Sequence, residues 1–195
     1  MHWNAPPVEL FWPAYISVVA PLTNDETYAL NQYQGVDYSA INLALRSSRA
    51  FIKRFGSRRF AEVSRLTGLL DTALNKCRLK HPVVVYRGLN MPLLDIKKAR
   101  RLSGTIFQDP GFTSTSLDPT HAAIFTNSTL MRIVLPTGSR AISMDTIEDI
   151  GEKELLLARN GRFRILSTGE LLTKAQEHGT KSRQIVLTLY LLPEY

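Results

Sequence analysis

Residues 82–89 read PVVVYRGL, and the hydrophobic period of the chain changes at that proline. Ahead of it apolar residues recur at helical spacing; behind it they form short β-branched runs or alternate with Ser and Thr. Val83 to Tyr86 reads as a buried strand that delivers Arg87 and Gly88 at its exit. Towards the N-terminus, Val63, Leu66, Leu70 and Leu74 mark a helix within 60–79 that Pro82 closes off. Tyr38, Ile41, Leu45 and Phe51 repeat the helical spacing in an earlier segment. Thr23 to Glu26, TNDE, has the spacing of a capping box, so a helix is predicted from there, carrying Ala29, Leu30 and Tyr33 to a stop at Gly35. In the other direction, 111–116 (GFTSTS), 130–135 (LMRIVL) and 185–192 read as strands, with turns at Pro136, Gly138, Gly151, Asn160 and Gly161. Helices grouped ahead of strands predict an α+β architecture and argue against a doubly wound parallel sheet.

The chain has 195 residues, 44% of them hydrophobic, enough to bury a core in one domain. Its first 22 residues, interrupted by Glu9, Pro13 and Pro21, read as an extended segment or linker remnant, and 23–195 as the domain proper. No cationic segment precedes the apolar start, so it resembles neither a signal peptide nor a membrane span. Cys77 is the single cysteine, which excludes an internal disulfide. His2, His81, His121 and His178 lack metal-cluster spacing, and no metal is expected. The net charge is +7. Arg46, Arg49, Lys53, Arg54, Arg58, Arg59 and Arg65 face only Glu62 between Tyr38 and Leu70, and Lys97, Lys98, Arg100 and Arg101 follow. Such clusters suit nucleic acid, a phosphate-bearing ligand or an acidic partner, or simply a solvated helix face.

Three stretches carry chemistry. Arg87 at a strand exit can present a rigid fork of donors to a phosphate, and Gly88 beside it lets a flat ligand approach the backbone. As a strand, GFTSTS puts Phe112, Ser114 and Ser116 on one face and Thr113 and Thr115 on the other. The stretch 151–159, GEKELLLAR, passes as helix on propensity. As a strand it sets Glu152 and Glu154 on one face about 7 Å apart, a spacing that suits two carboxylates acting on one glycosidic centre. Taken singly, each stretch also has a plain structural reading: an arginine at a sheet edge, a Ser/Thr-rich strand, a pair of solvated acids.

Arginine-glycine, then Ser-Thr-Ser, then Glu-x-Glu, each at a predicted strand, resembles the mono-ADP-ribosyltransferase toxins. The likeness runs from Leu22 to Tyr195. It includes ETYALNQYQGVDYSAINLALR in the helical part, YRGL, GFTSTSL, LPTGSRAISMD and GEKELLLARNGRFRIL. The resemblance implies an N-terminal helical lobe packed on a mixed, mainly antiparallel two-sheet β-sandwich core. It implies NAD+ as a consumed substrate, held without a Gly-x-Gly-x-x-Gly fingerprint, which the chain lacks. Arg87 would steady the pyrophosphate and the nicotinamide-side ribose, and Arg46 would reach the phosphates from the helical lobe. The backbone of Gly88 would pair with the nicotinamide amide, and Phe125 would stack near it. Ser114 would hold the catalytic glutamate, with Thr115 and Ser116 supporting the strand. Glu154 would bond the ribose 2′-OH and stabilise the positive charge that develops as nicotinamide leaves. Glu152 would position an acceptor guanidinium and assist its proton loss.

The implied partners are a target protein bearing an acceptor arginine and an immunity protein that plugs the NAD cleft. The implied setting is a delivered or secreted effector acting in a target-cell cytoplasm, without a signal peptide in this chain. Asp145 to Gly151 would meet the target; family members often carry an aromatic there, whereas this chain offers Ile147 and Ile150. Alternative readings are a NAD glycohydrolase, ADP-ribosylation of nucleic acid, and a basic binding module without catalysis.

Overall fold

Thr23 caps the first helix as its sequence predicts. In the computed structural model, which describes residues 16–89, 96–126, 128–144, 153–174 and 181–193, Glu26 N–H donates to Thr23 Oγ1 at 3.2 Å and Thr23 N–H to Glu26 Oε2 at 2.7 Å. Helix α1 (Asn24–Gln32) follows. Lys76 Nζ, at 2.6 Å, shares the same carboxylate oxygen and ties this cap to the far end of the lobe.

Gly35 does not stop the helix. The backbone passes through a π-helical turn, Tyr33–Asp37, and continues as α2 (Tyr38–Arg46). The wider turn absorbs the change in register, so Leu30, Tyr33 and Ile41 all stay buried. The chain breaks at Ser47 and resumes as α3 (Ser48–Asn75), divided at Gly56, whose φ of +83° only glycine adopts freely. Val63, Leu66, Leu70 and Leu74 are buried as the spacing requires. The helix expected within 60–79 ends earlier, at Asn75, because Cys77–Leu79 (β2) pairs antiparallel with Ile16–Val18 (β1). Arg78 donates from Nη1 to the carbonyls of Leu74, Asn75 and Cys77, supplying partners for the last helical turn. Within the basic run Arg46, Arg58 and Arg59 form ion pairs with Asp109, Glu62 and Asp37, and every member of the run but Arg59 is exposed. Burial pushes the Cys77 thiol up to about 11, leaving it a packing residue.

The remaining elements are β3 (Val83–Leu89), α4 (Ile96–Arg100), β4 (Ile106–Asp109), β5 (Thr113–Ser116), α5 (Pro119–Ile124), β6 (Thr129–Leu135), β7 (Ala141–Ser143), β8 (Glu154–Leu157), β9 (Gly161–Lys174) and β10 (Lys181–Leu191). The described strands from β3 onward form one sheet in the order β4-β9-β10-β6-β3-β5-β8-β7. The β10–β6 pair is parallel and the others are antiparallel, so the sheet is mixed and mainly antiparallel. This differs from the two-sheet core expected. One large sheet is present, and its two halves meet at a single register pair, Tyr86↔Ser116. That one pair is what keeps β3 and β5 in a common sheet.

Within the ambiguous stretch 151–159, Glu154–Leu157 resolves as strand. All four residues of β8 are buried, including Leu155, Leu156 and Leu157 in succession. Strand β8 lies between β5 and β7, and both of its faces are covered. A continuous apolar run is what such a position selects, whatever its helical propensity.

Candidate functional site

The cleft opens beside the weak β3–β5 junction. It encloses about 280 Å³ and is lined by Tyr33, Arg87, Gly88, Ser114, Phe125 and Glu154 together with neighbouring side chains. The sequence separates these residues widely, and register brings them together. Ser116 stands opposite Tyr86 on one side and opposite Glu154 on the other. Glu154 therefore projects from the same face as Ser116 and, one pleat away, Ser114. It is 8% exposed. Arg87 donates from Nη1 to the Ser114 carbonyl at 2.8 Å, so the β5 backbone orients the guanidinium. Thr115 Oγ1 donates to the Leu155 carbonyl at 2.6 Å and stitches β5 to β8.

Gly88 is demanded by packing. A Cβ there would fall 2.5 Å from the Ala122 carbonyl oxygen and 3.0 Å from Thr126 Cγ2. Helix α5 lies directly over it, begun by Pro119 and capped by Asp118, whose Oδ1 accepts from Thr120 N–H at 2.9 Å. The close approach sets Phe125, 54% exposed, at the mouth of the cleft, its ring 5.4 Å from that of His121.

The helical lobe supplies residues that the motifs did not single out. Tyr33, buried in the π-helical turn, places its hydroxyl 3.3 Å from Ser114 Oγ and accepts from Asn42 Nδ2 at 2.9 Å. Asn42 Oδ1 in turn accepts from Phe112 N–H at 2.8 Å, and the Tyr33 ring meets Phe112 edge-on at 5.8 Å. Two side chains of the lobe thus pin the strand that carries Ser114. Asn42 had left a signal, a polar residue on the buried side of an amphipathic helix. Tyr33 had left only its place in the apolar stripe with Ala29 and Leu30, which marks a core residue and not a site residue.

Burial pushes the Tyr33 phenol up, against the hydrogen bonds from Ser114 and Asn42 and the Arg87 charge, so it stays protonated at neutral pH. Burial, together with the nearby charge of Arg46, pulls the Arg87 guanidinium below its ordinary range, partly offset by the charges of Asp109 and Glu154. A desolvated cation beside a buried carboxylate exerts a field that water does not damp. An anionic ligand arriving there meets a donor array already oriented, the condition for preorganised electrostatic stabilisation.

Five of the residues singled out in the sequence, Arg87, Gly88, Ser114, Phe125 and Glu154, line one cleft. Arg46 stands beside it rather than in its lining, bound to Asp109 through Nε at 2.9 Å and Nη2 at 2.7 Å. Glu152 and the loop 145–151 lie outside the described residues.

A family profile described as ADP-ribosyltransferase exoenzyme matches residues 13–193. Among curated proteins the chain is similar to NAD(+)--arginine ADP-ribosyltransferase EFV of Enterococcus faecalis, 26% identical over 155 residues, covering 75% of this chain. The match spans 30% of that relative's length. Among solved structures, the ADP-ribosylating toxin BECa of C. perfringens, crystallised with NADH, superposes with a TM-score of 0.76 at 21% identity, over 89% of this chain and 45% of that one. Plx2a, an ADP-ribosyltransferase toxin from Paenibacillus larvae, gives 0.66 at 24% identity over 88% of both chains. At these identities the structures speak for a shared fold.

Proposed function

The chain belongs to the ADP-ribosyltransferase exoenzyme family, and from that premise we propose that it cleaves the nicotinamide glycosidic bond of NAD+ and transfers ADP-ribose to an arginine of a target protein. The observation that carries this reading is the meeting of Arg87, Ser114 and Glu154, from three different strands, in a single cleft. The NADH in the BECa structure and the arginine specificity in the name of the Enterococcus relative point the same way.

The cleft volume of about 280 Å³ lies at the small end of ligand pockets. It suits the nicotinamide-ribose end of the dinucleotide, with the phosphates towards the arginines. Arg87 pairs with a phosphate oxygen through a charge-assisted, directional fork. The backbone of Gly88, which lines the cleft, and the exposed ring of Phe125 receive the flat nicotinamide. Glu154 accepts a hydrogen bond from the ribose 2′-OH and stabilises the charge that grows at the anomeric carbon as the nicotinamide bond lengthens. Tyr33 and Asn42 hold β5 in place. The acceptor guanidinium attacks only after losing a proton, and Glu152, two residues before Glu154, is the carboxylate assigned to orient it and assist that loss.

The test compares Glu152→Ala with wild type for two readouts, labelling of lysate proteins from tagged NAD+ and release of nicotinamide. Loss of labelling with release retained supports transfer to arginine. Labelling that persists unchanged in Glu152→Ala would sink the arginine assignment, and a wild-type protein that releases nicotinamide but labels nothing would leave a NAD glycohydrolase.

A further inference from the structure

Asp109 belongs to none of the motifs, yet its carboxylate takes three hydrogen bonds at the edge of the cleft. Oδ1 accepts from Arg46 Nε at 2.9 Å and from Gly111 N–H at 2.9 Å, and Oδ2 accepts from Arg46 Nη2 at 2.7 Å. The turn that holds it is itself enclosed. A Cβ on Gly111 would fall 2.6 Å from Asn42 Oδ1 and 3.1 Å from Arg46 Nη2. Asn42 and Arg46 lie four residues apart on one face of α2, so helix, turn and carboxylate make one clamp. We propose that Asp109 is a positioning residue for NAD+ binding: it takes the Nε–Nη2 edge of Arg46, fixes the guanidinium at the cleft rim, and so presents the Nη1 side to the phosphates of the dinucleotide.

Three observations support this. The pair is partly solvated, with side chains 40% and 20% exposed, so it adds little to stability and its bidentate geometry is better explained by orientation. A guanidinium carries five N–H donors in a rigid plane, so fixing one edge fixes the direction of the rest. The charges of Arg46 and Asp109 are both felt at Arg87, which sets the pair within electrostatic reach of the cation assigned to the pyrophosphate. Asp109 also offsets the repulsion between the two guanidinium groups until an anion arrives.

The inference rests on the NAD reading, and its test separates the two. Nicotinamide release is followed from NAD+ and from nicotinamide riboside, which lacks phosphate, for wild type, Asp109→Asn, Arg46→Lys and the double variant. Asp109→Asn keeps the shape of the side chain and loses its charge. It is expected to raise KM for NAD+ about 10-fold, with kcat within about 2-fold and the riboside kinetics unchanged. Arg46→Lys should raise KM by a similar factor, and the double variant no further, because the two act as a unit. An unchanged or lowered KM in Asp109→Asn, additive effects in the double variant, or an equal loss of kcat on both substrates would overturn the positioning role. Should Asp109→Asn unfold, Arg46→Lys with the two substrates still decides the matter. A wild-type protein that releases no nicotinamide from NAD+ would overturn the underlying reading, and this proposal with it.

Discussion

The two edges of β3 are built to different ends. Against β6 the strand forms seven consecutive register pairs, from Val83↔Leu135 to Leu89↔Thr129, with Val83, Val85, Ile133 and Leu135 buried along it. Against β5 it forms one pair, Tyr86↔Ser116. The Ser114 carbonyl, beyond the end of that short ladder, takes its hydrogen bond from the Arg87 guanidinium instead. A carbonyl partly withdrawn from water needs a partner, and here a side chain supplies what a longer ladder would have supplied. One edge of the strand is scaffold. The other is a wall that opens where pairing stops, and the reactive groups gather at the gap.

Substitutions at the open edge should therefore cost activity first, and those that disturb packing should cost stability. The largest effect is expected for Glu154→Gln, which keeps shape and burial but removes the charge. Nicotinamide release should fall by about 10²–10³-fold with little change in Tm. A comparable fall in Tm would show that the carboxylate belongs to the scaffold. Next, Gly88→Ala drives a methyl group into the backbone of α5 and should destabilise by about 1–3 kcal/mol in denaturant titrations. Gly169 on β9 has no heavy atom within 4 Å of its would-be Cβ, and Gly169→Ala serves as the contrasting control, within about 0.5 kcal/mol of wild type. Tyr33→Phe removes the hydroxyl between Asn42 and Ser114 and should cost about 1 kcal/mol, with a several-fold loss of nicotinamide release if the lobe does hold β5 in place.

The smallest effect lies far from the gap. Burial pushes the Glu26 carboxyl up, but the Lys76 ammonium and the Thr23 amide outweigh it and hold the group below its ordinary range. A carboxyl depressed in the folded state stabilises the fold above its unfolded pKa and loses that contribution as pH falls through the lowered folded value. Thermal unfolding should accordingly show Glu26→Gln less stable than wild type at neutral pH. The gap should close in acid below the carboxylate range. A gap that widens in acid would mean that the pair contributes with the opposite sign.

The helical half was legible where neighbours along the chain carry the information. TNDE forms its capping box, and the stripe Val63, Leu66, Leu70 and Leu74 lies buried on one helix. Reading failed where a local rule met a tertiary contact. Gly35, a natural stop, is carried through by a π-helical turn that keeps Tyr33 in the core. The segment 77–79 leaves its helix because β1, about sixty residues earlier in the chain, pairs with it. The residues that the family resemblance singled out, Arg87, Gly88, Ser114, Phe125 and Glu154, line one cleft, although no hydrophobic pattern marks the element beside Phe125. The motifs could not locate Tyr33, Asn42 or Asp109, whose importance lies in partners distant in sequence.

By itself, then, the order of residues determined the class of fold, the helices with strong periods, and which chemical groups the strands carry, because capping, periodicity and alternation are local properties. Only the tertiary structure decided that β8 lies buried between β5 and β7, that one sheet holds both halves, and that Tyr33 reaches Ser114 across 81 residues. Those outcomes depend on register and burial, which exist only once separate segments exclude water from one another.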